Sequence, residues 1–171
     1  PDLRQAQNTS NIEDIRIWID KDKSNPADDL KNILDELSLK GKKVGVEYEA
    51  YGLTGRNALR LNKSLENYCN TEDQSELITK IRVIKSPEEI VYVKKAAELA
   101  DLALDQAWKY TKAGASEAKI LAEMQKIVLE RGGDYPANDY IIGSGHNALL
   151  CRYQSEKRIL SNRDQLSIEW A

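Results

Sequence analysis

Over the first eighty residues the apolar positions switch repeatedly between two periods. In Ile15–Ile19 (IRIWI), Ile15, Ile17 and Ile19 recur every second residue, the alternation of a strand with one buried face. In SNPADDLKNILDELSLKG the spacing changes to threes and fours. Leu30, Ile33, Leu34 and Leu37 form a helical stripe, opened by Asn25 as cap, Pro26 at the first helical position and Asp28 in the first turn, and closed by Gly41. Alternation returns in KKVGVEY through Val44, Val46 and Tyr48. Strand, helix and strand with short joints predict a βαβ unit with parallel strands and a right-handed crossover. A second helix is expected around Gly55–Leu61 and a short strand over Glu66–Cys69.

The longest pattern is in Ile81–Gly114. Ser86 is a natural N-cap, Pro87 suits the first helical position, and Glu89 completes a capping box. Behind it, Ile90, Val93, Ala97, Ala100, Leu104 and Ala107 make one apolar stripe, and Gly114 supplies the stop. A helix of about 26 residues would span roughly 39 Å. Ser116 then caps a further helix with Ile120, Leu121, Met124, Ile127 and Val128 on its buried face, ended by Gly132-Gly133. The short joint predicts an antiparallel helix pair. From Asp139 the texture is that of strands: DYIIG, ALLCRYQ and QLSIEW, separated by Gly143–Gly145 and by SEKRILSNRD. The expected fold is a partial α/β domain over residues 1–80, followed by an α+β segment over residues 81–171 in which helices cover one face of an antiparallel sheet.

Composition narrows the function. A net charge of −3 argues against nucleic acid as a partner, since a binder would show a basic face. No apolar run approaches 18 residues, so no membrane span is expected, and the polar N-terminus PDLRQAQNTSN has no signal-peptide core. Cys69 and Cys151 are far apart and are expected as reduced thiols in a cytoplasmic protein. The chain opens at Pro1 without a Met and stops on an alternating run, DQLSIEWA, with no turn after it. The expectation is a piece of a longer protein.

Chemistry is sparse. Gly143-Ser144-Gly145-His146-Asn147-Ala148 matches GxGxxA after a strand, with Asp164 about twenty residues on, as at a dinucleotide site. That fingerprint must open a helix facing the pyrophosphate, and ALLCRYQ has neither cap nor long amphipathic stripe. The better reading is a tight loop between two strands. His146 is the only histidine, and no CxxC, HExxH or calcium-loop pattern occurs. Arg152, Lys157, Arg158 and Arg163 make a basic group, read as a solvated face offset by Glu156 and Asp164. Arg152 differs because it lies inside an apolar strand. It is expected either to face a cleft, where its planar fork matches a carboxylate, or to form an internal ion pair.

The run IRVIKSPEEIVYVKKAAELADLAL resembles the interdomain junction of the pita-bread superfamily of creatinase, prolidase and aminopeptidase P, on Arg82, Lys85, Ser86, Glu89 and Ile90. GKKVGVEYEAYGLT is similar to the second half of that family's N-terminal domain, and GASEAKI and YIIGSGHNALLCRY to the start of its catalytic half. The resemblance implies a curved antiparallel sheet in two pseudo-symmetric α+β halves and, usually, a homodimer. It also implies two divalent metal ions (Mn, Co or Zn) in the peptidase members. Their ligands are expected beyond residue 171, with none in this chain, which alone should be inactive. Family peptidases carry a substrate-holding His in the run that here reads Leu150-Cys151-Arg152-Tyr153, and Arg152 stands at that place.

The expected activity is hydrolysis of a C–N bond, of the Xaa-Pro dipeptidase or aminopeptidase type, on a small peptide. The Arg152 departure favours, as an alternative, a creatinase- or ectoine-hydrolase-like enzyme on a small carboxylate. A lyase on the same scaffold and a non-catalytic peptide- or protein-binding member are the further alternatives. Arg152 and His146 are the candidate substrate-binding residues, and no catalytic residue is expected within the chain.

Overall fold

The computed structural model describes residues 2–150 and 158–170. The chain divides into two compact units, Pro1–Ile84 and Lys85–Ala171. Helix starts follow local chemistry at Asn25, Thr54 and Ser86, whereas Ser116 precedes its helix without a side-chain cap hydrogen bond. Helix α1 (Asp2–Thr9) was not expected from the pattern, but α2 (Pro26–Glu36) begins as the sequence indicates. The Asn25 side chain accepts a hydrogen bond from the Ala27 N–H at 3.3 Å, with Pro26 in the first turn. The helix stops at Glu36 rather than near Gly41. Ser38 adopts a left-handed φ of 59°, and the Leu39 N–H turns back to the Leu34 carbonyl.

The parallel pair of the first unit lies one step further along the chain than alternation suggests. Strand β1 (Lys43–Val46) pairs in parallel with β2 (Asn70–Asp73), and α3 (Gly55–Leu65), capped by Thr54, is the helix between them. Residues 66–69 are therefore not a strand. The Tyr68 and Cys69 N–H groups bond back to the Leu65 carbonyl, and Asn67 takes a positive φ of 57°, so this stretch is the turn that ends α3. A further helix, α4 (Leu77–Val83), closes the unit. Ala27, Val46, Leu61, Leu65 and Tyr68 form its core, with the free thiol of Cys69 packed beside them.

Ile15–Ile19 is not a strand either. Ile17 and Ile19 are each 67% exposed, and Arg16 ties the segment to Asp14 at 2.8 Å and Glu36 at 2.5 Å. Alternation specifies which face of a strand would be buried. It does not provide the neighbouring backbone that a ladder requires. Among the described residues β1 pairs with β2 alone.

The second unit opens with α5 (Pro87–Tyr110) and a complete capping box: the Ser86 hydroxyl accepts from the Glu89 N–H, and the Glu89 carboxylate accepts from the Ser86 N–H at 2.7 Å. Only the second half of its stripe is covered. Ala107 is buried and Ala100 and Leu104 are half-buried, with Ala103 buried beside them, whereas Ile90 and Val93 are exposed. The helix ends at Tyr110, before Gly114. That glycine instead forms a left-handed turn (φ 83°) whose N–H bonds to the Leu160 carbonyl at 2.8 Å.

Helix α6 (Glu117–Glu130) buries Ile120, Met124 and Val128. A Cβ on Gly133, just past its end, would sit 2.9 Å from Leu99 of α5, while only residues 111–116 separate its start from the end of α5. The pair is thus antiparallel. Strand β3 (Ile141–Ser144) pairs antiparallel with β4 (Leu166–Glu169), Ile142 opposite Ile168. Tyr140 and Ile142 join Ala103, Ala107, Ile120, Met124, Val128 and Leu160 in one core. The middle strand expected over ALLCRYQ does not begin where the pattern put it. Gly145–Leu149 is a short 3-10 helix because Gly145, at φ 59°, turns the chain out of the β region. Cys151–Gln154 lie outside the described residues. An α/β unit followed by an α+β unit is the architecture of the chain.

Candidate functional site

The expected glycine loop stands on a buried polar cluster. Ser144 is the last residue of β3 and Glu117 the first of α6, and both are 0% exposed. The Ser144 hydroxyl donates to Glu117 Oε1 at 2.5 Å and accepts from Arg158 Nη1 at 2.5 Å. A hydroxyl has one proton to give and lone pairs to receive, so it joins a cation on one side to a carboxyl on the other. Arg158 uses its planar fork on Asp164, at 2.6 and 3.1 Å. Asp164 also accepts the Ser161 N–H at 2.7 Å, and the Glu117 N–H bonds to the Arg158 carbonyl at 3.0 Å. The Arg158 guanidinium, with help from the Ser161 N–H, holds the Asp164 carboxyl well below the usual carboxylate range. One atom is left over: among the described residues Glu117 Oε2 is buried without a hydrogen-bond partner.

The backbone fits this cluster closely. Besides its positive φ, Gly145 faces Arg158, and a Cβ there would come within 2.8 Å of Arg158 Nη2 and 3.1 Å of Asp164 Oδ1. Its N–H bonds to the Gln165 carbonyl at 2.8 Å, joining the turn to the residue before β4.

The two candidate substrate-binding residues fare differently. His146 is exposed on the 3-10 turn that follows Ser144. Arg152 lies outside the described residues. Arg158 and Asp164 are not the solvated charges expected from the sequence: their side chains are only 26% and 10% exposed, because Ser144 and the chain from Ser161 close over them. Glu117 is the residue that sequence reasoning missed. A glutamate in a first helical turn reads as a solvated charge favoured by the helix dipole, and nothing local reveals its burial.

The glycine motif is no dinucleotide fingerprint. The turn runs only from Gly145 to Leu149, and Asp164 is occupied by Arg158. Nor do the described residues fit the metal pair that the resemblance implies. Among them no group of three or more His, Cys, Asp or Glu side chains converges, and Glu117 and Asp164 face Ser144 and Arg158.

Helix pair, strand pair and glycine turn in the second unit, following an α/β unit, define the class. The family model of the creatinase/prolidase N-terminal domain matches residues 2–84, and that of metallopeptidase family M24 matches residues 91–171. The chain belongs to the creatinase, prolidase and aminopeptidase P superfamily. It is 32% identical over 145 residues to an Xaa-Pro dipeptidase of Pyrococcus horikoshii, covering 81% of this chain and 40% of that protein. It is 30% identical over 115 residues to an Xaa-Pro dipeptidase of Pyrococcus furiosus, covering 65% and 33%. The fold is that of the X-Pro aminopeptidase from Thermotoga maritima, with a TM-score of 0.80 at 20% identity over 98% of this chain and 44% of that one. The chain thus spans between a third and two fifths of the length of the curated relatives named here.

Proposed function

We propose that the chain is part of a metal-dependent hydrolase of the Xaa-Pro dipeptidase or aminopeptidase type, which cleaves the C–N bond preceding proline in a small peptide. The order of the two family matches along one chain carries this reading, and the names of the Pyrococcus relatives support it. The role assigned to this chain is substrate binding and orientation, resting on Arg152 and His146 as read from the sequence. The family resemblance supports metal ligands beyond residue 171. It further supports a homodimer, and the free thiol of Cys69 is in keeping with a cytoplasmic one.

In this reading the glycine turn presents a binding edge. His146 is exposed on it, and Arg152 follows in the run LCRY, where a guanidinium pairs with the carboxylate of the substrate. A small non-peptide carboxylate is the second reading, favoured by Arg152 standing where family peptidases carry His. The test is a panel on the full-length protein: Xaa-Pro dipeptides, longer peptides with proline second, and small amide or amidine carboxylates, each with Mn, Co or Zn. Cleavage of the Xaa-Pro bond, freeing proline from dipeptides or the N-terminal residue from longer peptides, with KM raised by Arg152→Ala and kcat largely kept, is the expected result. Turnover of the small carboxylates alone would replace the peptidase reading with the second one.

A further inference from the structure

We propose that Glu117 is a positioning residue, which through Ser144 and Arg158 fixes the Gly145–Leu150 turn that introduces the substrate-binding run. The kinetic part of this inference rests on the function proposed above; the structural part does not. Glu117 holds Arg158 at both ends, its N–H on the Arg158 carbonyl and its carboxyl on the hydroxyl that receives the guanidinium. Ser144 is fully buried, so without Glu117 its proton has no acceptor from that side. The guanidinium in turn occupies the space beside Gly145 where a Cβ would be, which sets turn and cation against each other. Packing alone gives no reason for a carboxyl here. Buried polar networks are commonly matched or exceeded in stability by apolar replacements of similar volume, and one Glu117 oxygen has no hydrogen-bond partner among the described residues. The network specifies a geometry, and the element whose geometry it specifies is the turn.

The experiment compares Glu117→Leu and Glu117→Gln in the full-length protein, by hydrogen exchange and by steady-state kinetics on an Xaa-Pro dipeptide. Leucine removes the acceptor for Ser144, whereas glutamine keeps a carbonyl oxygen in its place. Glu117→Leu is expected to speed amide exchange over Gly145–Leu150 by about tenfold or more, while Ile120–Val128 keep their protection. KM should rise with kcat nearly unchanged, and Glu117→Gln should restore both readouts. Unaltered exchange in the turn, exchange accelerated equally throughout the unit, or a loosened turn with unchanged KM would each overturn the proposal. If Glu117→Leu does not fold, Ser144→Ala cuts the same relay and is held to the same outcomes. If the wild-type protein turns over no substrate in the panel, the peptidase reading fails. The exchange pattern then still decides the role of Glu117: a change confined to the turn upholds it, and no change refutes it.

Discussion

Gly145 and Gly114 provide a matched pair of perturbations that measures how firmly the buried cluster is held. Both have left-handed backbones, at φ 59° and 83°, so alanine at either carries the penalty of that conformation, about 1–2 kcal/mol. They differ in surroundings. A Cβ at position 114 meets nothing within 4 Å, whereas at position 145 it comes within 2.8 Å of Arg158 Nη2 and 3.1 Å of its Cζ. A free guanidinium would swing aside at little cost. This one is held by Ser144 and Asp164, so moving it breaks the bond to the buried Ser144 hydroxyl. A hydrogen bond to a charged group contributes roughly 1.5–3 kcal/mol. Gly145→Ala should therefore destabilise its turn by about that much more than Gly114→Ala destabilises its own, a tenfold to hundredfold difference in local opening. Native-state hydrogen exchange reads this directly, because alanine keeps both N–H groups, one bonded to the Gln165 carbonyl and one to that of Leu160. Equal effects at the two sites would show that Arg158 is loosely held and would refute the argument.

Two further outcomes follow from packing and charge. Met124 is 0% exposed in the core of the second unit, and Met124→Ala should cost about 2–5 kcal/mol by transfer and cavity terms, read as a lower urea midpoint for the transition of that unit. The Asp164 carboxyl is held below its ordinary value by Arg158 and Ser161. Its contribution is therefore complete above the unfolded pKa of about 4 and is lost as pH falls toward the folded value. Thermal scans between about pH 5 and 2 should show an acid-side loss of stability that Asp164→Asn lacks. An identical slope in the variant would mean that the pair is not formed in solution.

What the sequence made legible was the chemistry that acts over one turn of chain. Asn25 and Ser86 start helices because the groups they bond are two or three residues away, and the capping box at Ser86–Glu89 is made as written. The face of α6 was equally plain, since Ile120, Met124 and Val128 share one side of any helix. Partners across the chain were not. The alternation in Ile15–Ile19 is sound as a pattern, yet Val44 and Val46 align with Thr71 and Asp73, in a segment whose acidic and polar residues give little strand signal. Half of the α5 stripe was covered and half was not, because periodicity shows that a face is apolar and not where its neighbour ends. At the candidate site, Gly145 was visible as a turn residue and Arg158 and Asp164 as opposite charges. Their burial depends on Ser144 and Glu117 arriving from β3 and α6, which no local window contains.

The proposed metal-dependent cleavage before proline is tested by metal content and activity together. Full-length protein, purified without chelator, should be analysed for transition metal and assayed for proline release from an Xaa-Pro dipeptide before and after metal removal and return. Bound manganese, cobalt or zinc, with activity lost on removal and recovered on return, is the predicted result. Protein that folds, carries no transition metal and releases no proline under any of these metals would contradict it.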